Sequence, residues 1–180
     1  MNLPVVLVLA SGRGERFLAS GGGGSKLQAL LAGVPVLQRT LDAVRASGLA
    51  WHLEDAPHPG MGDSIASAVR ATPTAGGWLV LPGDLPLVRP RTLQAVAAAL
   101  AAHAVVVPHF RGHRGHPVGF AAECGAALAA LAGERGASAI VRAQAAAGRV
   151  LALDLDDAGI VTDIDTMADL ARAEQLLRRS

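Results

Sequence analysis

Apolar residues fall in short continuous runs that alternate with longer stretches of helical period. Val5-Val6-Leu7-Val8-Leu9 is aliphatic throughout and stops at Ser11-Gly12, which predicts a strand covered on both faces and hence a parallel sheet. Over 36–47, Leu37, Leu41 and Val44 share one stripe ahead of Gly48, a helix with glycine at its C′ position, and 51–53 is a short strand. A helix over 64–71 follows Gly60-Met61-Gly62-Asp63, and a buried strand over 78–81 ends at Pro82-Gly83-Asp84. The pattern continues with a helix over 90–102 and strands over 104–107 and 117–121. Helices over 123–131 and 137–147, a strand over 150–155 and a last helix over 166–178 complete it.

Strand then helix, repeated, means an α/β fold, and no linker divides the chain, so residues 1–180 read as a single domain. Ligands of open α/β sheets collect beyond the carboxyl ends of the strands, which directs attention to the loops after Ala10, Leu81 and Val107. Ser20-Gly21-Gly22-Gly23-Gly24-Ser25 has the composition of a flexible coil, either a tolerated insertion or a functional lid.

Composition narrows the choice of partner. The chain has 180 residues, 51% of them hydrophobic, ample for one core, and a net charge of +1 with scattered cations, which argues against nucleic acid and membranes. Three Phe, two Trp and no Tyr leave few platforms for stacking single-stranded bases. The one cysteine, Cys124, excludes an intramolecular disulfide, reads as a small buried hydrophobe and suits a reducing cytoplasm. The apolar start over 3–10 is too short to span a bilayer and runs into a glycine loop.

The loop Leu9-Ala10-Ser11-Gly12-Arg13-Gly14-Glu15-Arg16-Phe17 follows a strand. Its glycines free backbone N–H groups to face an anion, and Arg13, Arg16 and Lys26 add positive charge, as a triphosphate cradle needs. Neither a Walker A nor a dinucleotide fingerprint fits it. Asp84, at the tip of a buried strand between Pro82 and Pro86, suits a hard cation beside phosphates; the alternative is a turn cap. Asp163 and Asp165 flank Ile164, so in an extended segment both point to one side and could complete a metal site, with one of Asp165 and Thr166 as an N-cap. His109, His113 and His116 share a glycine-broken loop without a Cys or carboxylate, so contacts from Arg111, Arg114 and His116 to an acceptor are favoured over zinc.

Together these segments resemble the molybdenum cofactor cytidylyltransferases and the wider molybdopterin-guanylyltransferase-like nucleotidyltransferases. The match rests on the loop from Leu9 to Phe17, on Lys26, on Gly60-Met61-Gly62-Asp63-Ser64 and Gly83-Asp84-Leu85-Pro86, and on Arg114-Gly115-His116-Pro117 and Asp163-Ile164-Asp165-Thr166, in that order along the chain. The resemblance implies a Rossmann-like three-layer α/β/α fold of the nucleotide-diphospho-sugar transferase type, with a mostly parallel sheet. It implies transfer of NMP from an NTP, CTP being favoured, to a phosphorylated molybdopterin-type acceptor, with Mg²⁺ as cofactor and pyrophosphate released. Arg16, Lys26 and Asp84 would then be catalytic. Ala10, Ser11, Gly12, Arg13, Gly14, Gly60, Met61, Gly62, Ser64, Pro82 and Gly83 would bind nucleotide, with Gly62 allowing close backbone approach and Ser64 opening its helix. Arg114, His116 and Pro117 would meet the acceptor, and Asp84, Asp163 and Asp165 the metal. A molybdenum hydroxylase apo-enzyme is a candidate partner.

The chain departs from the family pattern in several places. The short span between Gly48 and Gly60, where the family carries a further strand, helix and strand, predicts a sheet trimmed at one edge. Leu18 replaces a glycine, the Gly/Ser stretch is inserted before Lys26, and Met167 replaces a proline. Two rivals remain at this stage: a guanylyl-, sugar- or lactate-phosphate nucleotidyltransferase of the same fold, and a catalytically silent accessory protein that delivers molybdopterin. Lys26 with Asp84 and Asp163 argues against the second, since a pure carrier has no use for a charge clamp.

Overall fold

Each buried apolar run forms a strand of one seven-stranded sheet. The computed structural model describes residues 2–179. In chain order its elements are β1 (Val5–Leu9), α1 (Glu15–Ala19), β2 (Leu30–Leu31), β3 (Val34–Pro35), α2 (Val36–Ala46), β4 (Ala50–Glu54), α3 (Met61–Ala71) and β5 (Gly77–Pro82). There follow α4 (Pro90–Ala99), β6 (Val105–Phe110), β7 (His113–Arg114), β8 (Val118–Ala121), α5 (Gly125–Ala129), α6 (Ser138–Ala146), β9 (Val150–Asp154) and α7 (Met167–Arg178). Strands β4, β1 and β5 pair in parallel, as do β6 and β9, while β8 runs antiparallel between β5 and β6. The sheet is therefore mostly parallel. Its edge is β4, the one strand between Gly48 and Gly60, in agreement with a trimmed sheet.

Period-two alternation along β1 sends side chains to two cores. Val6 and Val8 join Leu79 and Leu81 under Leu41 and Val44 of α2 and Leu93 and Val96 of α4. Leu7 joins Trp78, Val80, Val105 and Val107 under Ile65 and Val69 of α3 and Leu128 and Val141 of α5 and α6. These are the two outer layers of an α/β/α sandwich. Val6, Leu7 and Val8 are wholly buried, each burial stabilising the fold by about 1.5–3 kcal/mol. That stiffness holds the C-terminal ends of three strands level: Leu9 pairs with both Glu54 and Pro82.

The sequence reading is corrected in three places. The helix expected over 123–131 is a 3-10 turn, Ala122–Cys124, followed by the short α5, because Gly125 closes onto the Trp78 indole, where a Cβ would lie 2.7 Å from the ring. Cys124 is buried there, as expected. The helix expected to open at Ser64 opens at Met61. Between Phe17 and Val36, where no element is predicted, the chain makes a 3-10 turn, Lys26–Gln28, and the β2–β3 hairpin. Among the described residues no helix is long and apolar enough to cross a membrane.

Candidate active site

The loop after β1 is pinned from both neighbouring strands: Ala10 N donates to Glu54 O (2.9 Å) and Gly83 N donates to Leu9 O (2.8 Å). Gly14 caps α1 in the left-handed region (φ 64°), a conformation that favours glycine. One turn later Phe17 is buried with Leu27, Leu31, Val36 and Ile164 and anchors the loop. The Gly/Ser stretch wraps this anchor. Gly22 N donates to Phe17 O at 3.0 Å, and its α-carbon lies so close to the ring that no Cβ would fit. Ser20 Oγ accepts from Met167 N (3.0 Å) at the start of α7, and Ser25 Oγ accepts from Leu27 N (3.3 Å), capping the turn that carries Lys26.

Lys26 is the hub. Its Nζ donates to Asp84 Oδ2 (2.7 Å) and to Asp165 Oδ1 (2.8 Å), and Arg16 Nη1 donates to Asp165 Oδ2 (2.8 Å). Burial works against the ammonium, but Asp84 and Asp165 outweigh it and hold Lys26 above the ordinary lysine range. Asp84 is fixed by its own carbonyl, which accepts from Ile164 N (3.0 Å), and by Thr40 Oγ1 donating to Gly83 O (2.8 Å). Neither Asp84 oxygen caps a turn: Oδ2 meets Lys26, and Oδ1 is buried without a hydrogen-bond partner. Of the two residues expected to cap α7, Asp165 and Thr166, it is Thr166 that does so: its Oγ1 accepts from Asp169 N (3.2 Å) in a capping box. Burial raises the Asp163 carboxyl above its usual range. Its backbone opposes this, while Asp84, Asp165 and Asp169 add to it by repulsion.

A cleft of about 490 Å³ opens over these groups, a usual size for a small-molecule site. Its lining gathers Ser11, Gly12, Arg13, Gly14, Arg16, Lys26, Gly60, Met61, Ser64, Pro82, Gly83, Asp84 and Asp165 from the expected set. Ser11 Oγ and Ser64 Oγ are hydrogen-bonded on that lining at 3.0 Å. Ala10 and Gly62 are not on its surface. Gly62 does permit a close approach, but by the protein's own loop: its N donates to Gly133 O (2.9 Å), and Gly133 N donates to Asp63 Oδ2 (2.8 Å). A Cβ at Gly62 would lie 2.7 Å from Arg135 O and 2.8 Å from Ala132 O. Gly62→Ala is therefore expected to destabilise the fold by about 1–3 kcal/mol, read as a lower midpoint in denaturant, and an unchanged midpoint would show that the loop yields freely.

The segment expected to meet an acceptor, Arg114 to Pro117, lies apart from the cleft lining. Arg114 is exposed on β7, whereas Gly115 packs against Ile160 and His116 N donates to Ile160 O (3.0 Å), ahead of a cis bond to the buried Pro117. Burial lowers the His116 pKa against the opposing pull of Asp84, the Val80 backbone and Asp163, with Arg114 adding to the lowering, and Nδ1 is buried without a partner. Among the described residues no three potential ligands gather as a closed metal centre, at these histidines or elsewhere.

A family model described as the MobA-like NTP transferase domain matches residues 43–149, more than half the chain. The chain belongs to this family. It is accordingly a nucleotidyltransferase. Solved structures agree on the fold. Rv0371c from Mycobacterium tuberculosis H37Rv is 25% identical over 97% of this chain and 98% of its own, with a TM-score of 0.75. The same protein is also known as a manganese complex (24% identity, 97% and 98% coverage, TM-score 0.73). Mth528, a nucleotidyl transferase from Methanothermobacter, is 21% identical over 100% of both chains, with a TM-score of 0.83. Molybdopterin-guanine dinucleotide biosynthesis protein A from Archaeoglobus fulgidus is 18% identical over 98% of this chain and 100% of its own, with a TM-score of 0.65. No curated protein sequence matches significantly.

Three polar residues at this nucleotidyltransferase's cleft escape sequence reasoning. His58 and Glu134 line it, and Glu54 is buried behind His58. Glu54 offered one signal, a carboxylate at the end of a short strand that also carries His52. Glu134 offered none, since only the docking of its loop on α3 brings it to the site.

Proposed function

We propose that this nucleotidyltransferase transfers CMP from CTP to the phosphate of a molybdopterin-type acceptor in the cytoplasm, with Mg²⁺, and releases pyrophosphate. The observation that carries the reading is the Lys26 clamp, a lysine held between two carboxylates on the cleft lining beside a glycine loop that bears Arg13 and Arg16. The triphosphate lies along residues 11–16, where backbone N–H groups and the exposed arginines meet it. Lys26, fixed at both carboxylates, sits where charge builds on the α-phosphate and the leaving group. An acceptor phosphate oxygen attacks the α-phosphorus, the bond to the bridging oxygen breaks in line, and pyrophosphate departs with that electron pair. Arg114 and the loop to Pro117 face the acceptor side.

The residues fit a divalent cation. Asp84 Oδ1 is buried with its lone pairs unused, and Asp163, its carboxyl raised, sits among like charges that a cation would relieve. With so few protein ligands, phosphate oxygens would complete the shell, as is usual for Mg²⁺. When bound, the ion supplies charge neutralisation at the phosphates. The manganese complex of Rv0371c supports a divalent ion in this fold.

The reading is tested by offering each of the four NTPs with Mg²⁺ and molybdopterin and measuring pyrophosphate. Release with CTP, dependent on acceptor and metal, is expected. Release with another NTP would move the base. No release from folded protein that binds molybdopterin would replace the reading with an accessory carrier.

A further inference from the structure

The cleft is chemically divided. Arg13, Arg16 and Lys26 form one part of its lining; a second end is formed by His58, Pro59, Gly60 and Met61, with Glu134 docked against Gly60. Glu134, and Glu54 behind His58, repel phosphate, while Pro59 and the half-exposed Met61 offer apolar surface to a flat ring. Given the nucleotide reading proposed above, the base lies at this second end.

Only one side chain there is oriented by a buried charge. Glu54 ends β4 with its side chain 7% exposed, and its Oε1 accepts from His58 Nε2 at 3.0 Å. Burial pushes the Glu54 carboxyl up, but hydrogen bonds from His58, Ser67 and His52 outweigh it and leave it below the usual carboxylate range, so it is ionised at neutral pH. An ionised carboxylate cannot donate, so Nε2 carries the proton. In the neutral ring Nδ1, which has no protein partner, is then an acceptor on a side chain that lines the cleft.

We propose that His58, oriented by Glu54, is the base-reading residue, its Nδ1 accepting a hydrogen bond from the exocyclic amine of cytosine. Uracil presents a carbonyl oxygen in place of that amine and would set two lone pairs against each other. Glu54 acts through His58 as a positioning residue: it selects the tautomer and meets no substrate.

The experiment measures dissociation constants of CTP and UTP, with Mg²⁺, for the wild type, His58→Ala and Glu54→Gln, with the thermal midpoint of each protein as a check on folding. The wild type should prefer CTP by at least about tenfold, the scale of one hydrogen bond in a largely dry site. H58A should bring the ratio near parity. E54Q is isosteric, and its amide can donate to Nε2 and turn Nδ1 into a donor, so it should shift the ratio toward UTP. A purely structural role would weaken both nucleotides equally. An unchanged ratio in folded variants, or a wild type indifferent to the two, would overturn the inference while leaving nucleotide binding intact. A wild type that binds neither nucleotide nor tripolyphosphate would overturn the nucleotide reading itself, and this inference with it.

Discussion

Asp84→Ala is expected to lower kcat by about 10³-fold or more while the protein still folds. Asp84 sits on a backbone held by Ile164 N and Thr40, and neither bond involves its carboxylate. Removing that carboxylate deletes a buried oxygen that has no partner and leaves Lys26 still paired with Asp165. The cost therefore falls on chemistry rather than on the fold. Steady-state pyrophosphate release and a far-UV melt separate the two, and retained turnover would remove Asp84 from the catalytic centre.

Lys26→Met should behave in the opposite way, losing turnover and stability together. Asp84 and Asp165 would face each other without their shared cation, at side-chain exposures of 13% and 26%. Breaking a fully buried pair costs about 3–5 kcal/mol, and with solvent screening a loss of about 2–3 kcal/mol is expected. A divalent ion should restore part of it, because the freed carboxylates then face a metal. Melts of the variant with and without Mn²⁺ check this; insensitivity to the ion would argue against a metal at Asp84. The pH dependence carries a matching sign. The Lys26 pKa is raised on folding, so the wild type holds the clamp's full stabilisation below the ordinary lysine value of 10.5 and loses it as pH rises through the folded value.

The strands were legible because burial on both faces leaves an unbroken aliphatic run: Val5–Leu9 is the strand that its residues predict. The clamp was legible as a set of charged residues beside strand ends, although its geometry, one ammonium between two carboxylates, was not. Gly62 was read as making room for a nucleotide, yet it is crowded, like Gly60, by the backbone of residues 132–135. A glycine reports that something comes close without saying what. Thr166 was legible as a cap beside Asp165, whereas the reciprocal bond to Asp169 that makes it a capping box was not. Glu54 and His58 stand four positions apart across a bend, where neither strand nor helix spacing suggests a pair.

The Lys26 clamp also sets an order of events during synthesis. Lys26 and Asp165 are 139 positions apart, and Arg16 reaches the same aspartate across 149. A nascent chain can form β1, its glycine loop and even Asp84 long before Asp165 leaves the ribosome. Until then Lys26 has one carboxylate instead of two, and Arg16 has no anchor. The clamp is thus among the last parts of the molecule to be assembled, and a prematurely terminated chain would hold the glycine loop and Asp84 without the rigid charge that Asp165 completes.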